Sequence, residues 1–117
     1  MIGKLSLIMI NVSDMERSVR FYRDALGLTV EQESPYWSQL DAGTISIGLH
    51  SGGPAEGAAE AEPALTLSFA VEDIAGAVDQ LRSAGAQVAQ EPARQQYGEQ
   101  LAVIRDPDGH PIQLLQD

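Results

Sequence analysis

The sequence contains no cysteine, so disulfides, thiolate metal sites and cysteine nucleophiles are all excluded. Basic residues are scarce as well. Seven Lys plus Arg stand against seventeen Asp plus Glu, a formal charge of −10 that repels phosphate backbones and anionic lipid, so neither nucleic acid nor membrane is an expected partner. This charge has two readings: solubility, or attraction of a cationic ligand. Long apolar runs are missing too, since Asn11 and Ser68 interrupt the longest ones well short of a bilayer span. No cationic leader precedes an apolar segment, and a cytoplasmic location is the expectation. Aromatics amount to only 5 % of the chain, which makes Trp37, the one indole, conspicuous.

What is present is enough for a single small domain of 117 residues, with 44 % apolar side chains to build its core. Residues 5–12 are apolar and β-branched over a strand's length, and Ser13-Asp14-Met15-Glu16 then has the pattern of a capping box with Ser13 at the helix start. Met15, Val19, Tyr22 and Leu26 recur at helical spacing, with Gly27 placed to end the helix. The same order returns downstream. Residues 65–71 repeat the strand, Glu72-Asp73 the acidic helix start, Ile74, Ala77, Val78 and Leu81 the apolar face, and Gly85 the stop. Val12-Ser13-Asp14 and Val71-Glu72-Asp73 lie 59 positions apart. Tyr36, Gln39 and Leu40 match Tyr97, Gln100 and Leu101 at a separation of 61.

Strand candidates follow each helix: 29–32, 37–41 and 44–49 in the first copy, 87–90, 100–105 and 111–115 in the second. The expectation is therefore an α+β fold of two βαβββ modules forming a curved mixed sheet around a central cleft. Module 1 covers about 1–50, a mobile Gly/Ala/Glu-rich linker 51–63, and module 2 about 64–117. Gly52-Gly53-Pro54 lacks the lysine and helix of a phosphate loop and belongs to that linker. Asp106-Pro107-Asp108-Gly109 is a turn between the last two strands.

Strand alternation sorts the side chains into two sets. Ile8, Ile10 and Val12 should pack under the first helix, as Leu65, Leu67, Phe69 and Val71 should under the second. Leu7, Met9 and Asn11, with Thr66, Ser68 and Ala70, then face the cleft. Ile47 and Leu49 match Ile112 and Leu114 as packing positions, which turns Gly48 and Gln113 the other way. Trp37 suits stacking on a ligand ring and core packing equally well, and the matched Tyr36 and Tyr97 are further candidates for stacking at a cleft mouth. Gln39 and Gln100 are candidate hydrogen-bonding groups. His50 and His110 have the setting of exposed loop histidines, and Glu16, Glu72 and Asp73 that of helix caps.

The run from Val12 to Leu28, with Phe21-Tyr22 inside a helix that ends at Leu26-Gly27-Leu28, joined to Asp106-Pro107-Asp108-Gly109, resembles the vicinal oxygen chelate superfamily of glyoxalases, bleomycin resistance proteins and extradiol dioxygenases. The resemblance spans nearly the whole chain. It implies paired βαβββ modules, a central cleft and a symmetric dimer. In metal-dependent members the ligands fall at positions that are here Leu7, Gly48, Thr66 and Gln113. Leucine and glycine side chains carry no donor atom, and two neutral oxygens do not hold a catalytic zinc, iron or nickel ion. The expectation is a binding protein without metal or other cofactor, similar to the bleomycin resistance branch. It would sequester a drug or metabolite, as in antibiotic resistance, with a small cationic or aromatic organic molecule as partner. Its binding residues would be Leu7, Met9, Asn11, Trp37, Gln39, Gly48, Thr66, Ser68 and Gln113. The alternatives are a lyase, isomerase or dioxygenase-type enzyme with a displaced or non-metal site, including one that recruits His50, and a module binding a protein or regulatory ligand. A homodimer is expected in solution. Light scattering at high micromolar concentration should return twice the mass of one chain, and a monomer mass would count against the dimer.

Overall fold

The computed structural model describes residues 2–3, 5–52, 65–96 and 98–117. The order of elements is β1 (Leu7–Val12), α1 (Met15–Arg20) continued by a π-helical turn (Phe21–Ala25), β2 (Thr29–Gln32), β3 (Trp37–Asp41), β4 (Ser46–Ser51), β5 (Leu67–Ala70), α2 (Ile74–Ser83), β6 (Gln87–Arg94), β7 (Gln100–Arg105) and β8 (Pro111–Gln116). The chain divides into two compact units, Met1–Glu56 and Gly57–Asp117. Each unit is one βαβββ module with its own four-stranded mixed sheet, ordered β1-β4-β3-β2 in the first and β5-β8-β7-β6 in the second. The linker expected at 51–63 falls, from residue 53 onward, outside the described residues, as does Tyr97.

Both helices begin on an aspartate. Asp14 has extended backbone angles and its carboxylate accepts the Arg17 amide at 3.0 Å; Asp73 does the same for the Gly76 amide at 3.1 Å. This corrects the capping box by one residue. A carboxylate satisfies a free amide at the positive end of the helix dipole better than a hydroxyl does. Ser13 Oγ instead accepts from the Arg17 guanidinium, and Glu16 pairs with Arg20 at 3.3 Å rather than reaching back to a backbone amide. The first helix closes through a wide turn in which the Leu26 amide donates to Phe21 O, followed by Gly27 at φ +77°. Arg82 on α2 binds Asp79 and also Glu91 on β6, fastening the helix to the edge strand, and these carboxylates raise its pKa.

Each unit has its own core between its helix and one sheet face. In the first, Val12, Val19, Tyr22, Leu40, Ile47 and Leu49 are buried; in the second, Ile74, Val78, Leu81, Ala102, Ile104, Ile112 and Leu114. Ile8 and Ile10 are half-buried beside the first core, as are Leu67, Phe69 and Val71 beside the second. Leu65 departs from its expected role. It is 87 % exposed because the ladder begins only at Leu67, opposite Ile112, leaving Leu65 with no partner strand. Leu5 is exposed for the same reason ahead of β1.

The repeat also needs correction downstream. Leu40 opposite Ile47 and Ile104 opposite Ile112 occupy the same ladder position, 64 apart rather than 61. The hairpin of the second unit is longer, since β6 runs eight residues where β2 runs four. Gln39 therefore corresponds to Val103, and Gln100 alternates with buried Ala102 and Ile104 on the helix-facing side.

Denaturant melts test this packing. Ile104→Ala should cost about 3 kcal/mol through transfer and cavity terms, and Val78→Asp should abolish folding by burying a charge without a partner. Gln80→Ala on the exposed helix face should stay within about 0.5 kcal/mol of the parent. Removal of the second cap by Asp73→Ala should cost about 1 kcal/mol. A neutral Ile104→Ala would contradict the assignment of the strand faces.

Candidate functional site

The sheet face turned away from α1 is assembled by the registers of β1 and β3 on β4. The parallel β1–β4 pairing sets Leu7 opposite Ser46, Met9 opposite Gly48 and Asn11 opposite His50. The antiparallel β3–β4 pairing sets Asp41, Gln39 and Trp37 against the same three residues. Three rows result: Leu7, Ser46 and Asp41; Met9, Gly48 and Gln39; Asn11, His50 and Trp37. All six site residues expected in the first unit therefore share one face.

Trp37 neither enters the core nor stands free. Its indole lies across Gly48, one diagonal position away on the neighbouring strand, so closely that a β-carbon on Gly48 would collide with Cη2 and Cζ2 and lie 3.1 Å from Cζ3. Gly48 is consequently buried although it faces away from the helix. Met9, 54 % exposed, is its partner on the far side. An apolar floor of indole and thioether thus forms where β4 has no side chain. Tyr36 is 75 % exposed just outside the strand.

Polar groups stand at two edges of this floor. His50 Nδ1 lies 3.2 Å from Asn11 Oδ1, and the ring is packed against Gly52, where a β-carbon would sit 3.3 Å from Nδ1. This places His50 inside β4 and corrects its expected setting as a loop histidine. The strand extends two residues beyond the expected end because β1 continues to pair with it through Val12 and Ser51. At the other edge, a register shift between Val30 and Gln32 turns Glu31 toward Ser46, whose hydroxyl donates to Oε1 at 2.7 Å; Gln39 Nε2 approaches the same oxygen at 3.5 Å. Glu31 and Ser46 were not anticipated. For His50 the sequence held a usable signal, since Ser46, Gly48 and His50 alternate. For Glu31 it held none, because a bulge of this kind leaves no mark on the pattern.

In the second unit, Gln113 Nε2 donates to Ser68 Oγ at 3.1 Å, their strands being in register. Thr66 is exposed and lies one residue ahead of β5. Leu101, Val103 and Leu115 share that face by alternation and are half-buried. His110 lies in the turn between β7 and β8, where its amide and that of Asp108 donate to the buried Asp106 carboxylate at 2.8 and 3.0 Å.

Of the positions that carry metal in the wider family, Leu7 and Gly48 offer no donor, and the space of any side chain at Gly48 is taken by the indole. The other two, Thr66 and Gln113, offer neutral oxygens, one of them on an amide whose nitrogen is bonded to Ser68. Neither pair fits a divalent transition metal. Among the described residues, no three His, Cys, Asp or Glu side chains come together as a ligand group. Nor is any helix among them long and apolar enough to cross a membrane.

Comparison with known proteins bears on the fold described above. The family model described as the glyoxalase/bleomycin resistance protein/dioxygenase superfamily matches residues 4–114. A probable lactoylglutathione lyase of Synechocystis is 30 % identical, the match covering 92 % of this chain and 91 % of the relative. An uncharacterized protein of Bacillus subtilis, YraH, is 32 % identical over 95 % of this chain and 96 % of its own. A glyoxalase/bleomycin resistance protein/dioxygenase family enzyme from Burkholderia phytofirmans shares the fold at a TM-score of 0.83 with 23 % identity, over 97 % of this chain and 98 % of that one. A family match over nearly the full length, on a chain built of two βαβββ modules, leads to one conclusion: this protein belongs to the glyoxalase/bleomycin resistance protein/dioxygenase superfamily.

Proposed function

We propose that the chain is a metal-independent small-molecule binding protein, acting as a cytoplasmic homodimer that sequesters a planar or amphipathic organic compound. The observation that carries this reading is the Trp37 indole lying over Gly48, which puts a flat apolar surface where a metal-dependent member would need a carboxylate. Stacking on such a surface requires shape and exclusion of water, and no reactive group. Gln39, Asn11 and His50 supply the few directional contacts that orient a ligand on an apolar floor. The charge of −10 favours cations at long range, an effect felt mainly in association rate and weakened by salt.

A second reading, a lyase of the lactoylglutathione type, is favoured by the names of relatives at 30 % and 27 % identity. The two readings separate by metal content and turnover. On the binding reading, protein purified without chelator should carry no stoichiometric transition metal, and added zinc or nickel should leave its melting temperature unchanged. Lactoylglutathione lyase activity in the presence of either metal would move the enzyme reading to first place.

Cationic aromatic compounds should outrank phosphate esters and glutathione adducts in a thermal-shift screen, and their affinity should fall between low and physiological salt. Binding should shift the fluorescence of Trp37, the only tryptophan in the chain. Trp37→Ala should weaken the best hit roughly fivefold, about the worth of one aromatic contact. Unchanged affinity in Trp37→Ala would remove the indole from the site.

A further inference from the structure

We propose that the Asn11–His50 pair is a hydrogen-bond-accepting subsite beside the Trp37 floor, selecting planar ligands that carry an N–H or O–H donor at the ring edge. The inference rests on the binding reading above and adds what that reading leaves open, the chemistry at the ligand's edge.

The register brings the three residues together. Asn11, His50 and Trp37 form one row across β1, β4 and β3, so the imidazole and the indole belong to the same sheet face. A neutral imidazole has one donor and one acceptor nitrogen, and whatever engages one decides the role of the other. Here Nδ1 lies 3.2 Å from the amide oxygen of Asn11, an acceptor, and that contact favours the tautomer with the proton on Nδ1 and the lone pair on Nε2. Gly52 supports the arrangement. Its bare α-carbon packs near Nδ1 and Cε1, where a β-carbon would stand at 3.3 and 3.4 Å, and its amide donates to His50 O at 3.0 Å. The ring is thereby held from its Nδ1 side. Among the described residues Nε2 has no hydrogen-bond partner, and the side chain is exposed. A ligand that brings an imide, lactam, phenol or enol to that atom fills the open acceptor. One whose corresponding position is methylated covers the acceptor and leaves it unpaired.

Phthalimide and N-methylphthalimide make a matched pair of probes, flat rings of nearly equal area that differ in one N–H. At about pH 7.5, titrations followed by 1H–15N NMR on the Trp37 indole N–H should show the parent protein binding phthalimide roughly fivefold more tightly, as one neutral hydrogen bond is worth. His50→Phe should bind both probes with equal affinity. Asn11→Leu should reduce the preference, and Asn11→Asp, which keeps an oxygen toward Nδ1, should retain it. Independently of any ligand, long-range 1H–15N spectra of the parent protein should show the neutral His50 ring protonated on Nδ1. A ring protonated mainly on Nε2, equal affinity for the two probes in the parent, or a preference that survives His50→Phe would each overturn the subsite while leaving the Trp37 floor standing. If neither probe moves the indole signal, the floor itself is not a binding surface and the inference falls with it.

Discussion

The parallel ladder between the first and last strand of each module is the constraint on which the rest depends. In β1 and β4 it sets Ile8 opposite Ile47 and Ile10 opposite Leu49 toward the helix, and in the same stroke Met9 opposite Gly48 and Asn11 opposite His50 away from it. Side chains alternate with a period of two, so a slip of one residue would turn buried Ile47 and Leu49 to water and bring a histidine into the core. Core burial thus holds the register, and the register holds the site. The helix contributes by covering one face, anchored at its first turn by an aspartate and released at a glycine with positive φ.

Most of the architecture was legible in the sequence because it is written in features that act locally. Apolar alternation, an acidic helix start and a terminal glycine each operate within a few residues, and each occurs twice in the same order. The bounds of β2, β3 and β7 came out as expected for that reason. What escaped depends on pairing between distant segments. Leu65 looks like a strand residue and is exposed for want of a partner; His50 looks like a loop residue and is paired because Asn11 continues opposite it. Alternation put Leu7, Met9, Asn11 and Gly48 on one face, and the strand registers add Trp37 and Gln39 to it. The indole's place over the glycine, and the turn of Glu31 toward Ser46, arise from diagonal packing and a bulge, which no one-dimensional pattern encodes.

The two modules share a plan and differ in what they display. Each buries matching isoleucine and leucine residues in its last strand, Ile47 and Leu49 in one, Ile112 and Leu114 in the other. On the opposite face the first unit presents an indole over a glycine, with a histidine and an acid at the margins. The second presents leucines and a valine around a hydrogen-bonded Gln113 and Ser68. Packing has held one set of positions alike while the other set has separated. The extended β6–β7 hairpin follows the same division, its extra length falling at the edge of the sheet, where added residues disturb no buried contact.

The contact between Trp37 and Gly48 also limits the routes open to the chain by successive mutation. An acidic side chain at position 48 has nowhere to go while the indole lies across it, so an intermediate with the carboxylate alone would crowd the middle of the sheet. Loss of the indole first would leave an uncovered glycine in a central strand, with neither stacking surface nor ligand to compensate. Any side chain placed at position 48 therefore requires the indole to move, so a change there is felt at position 37 as well. The two positions are thus coupled, and what one can hold depends on what stands at the other.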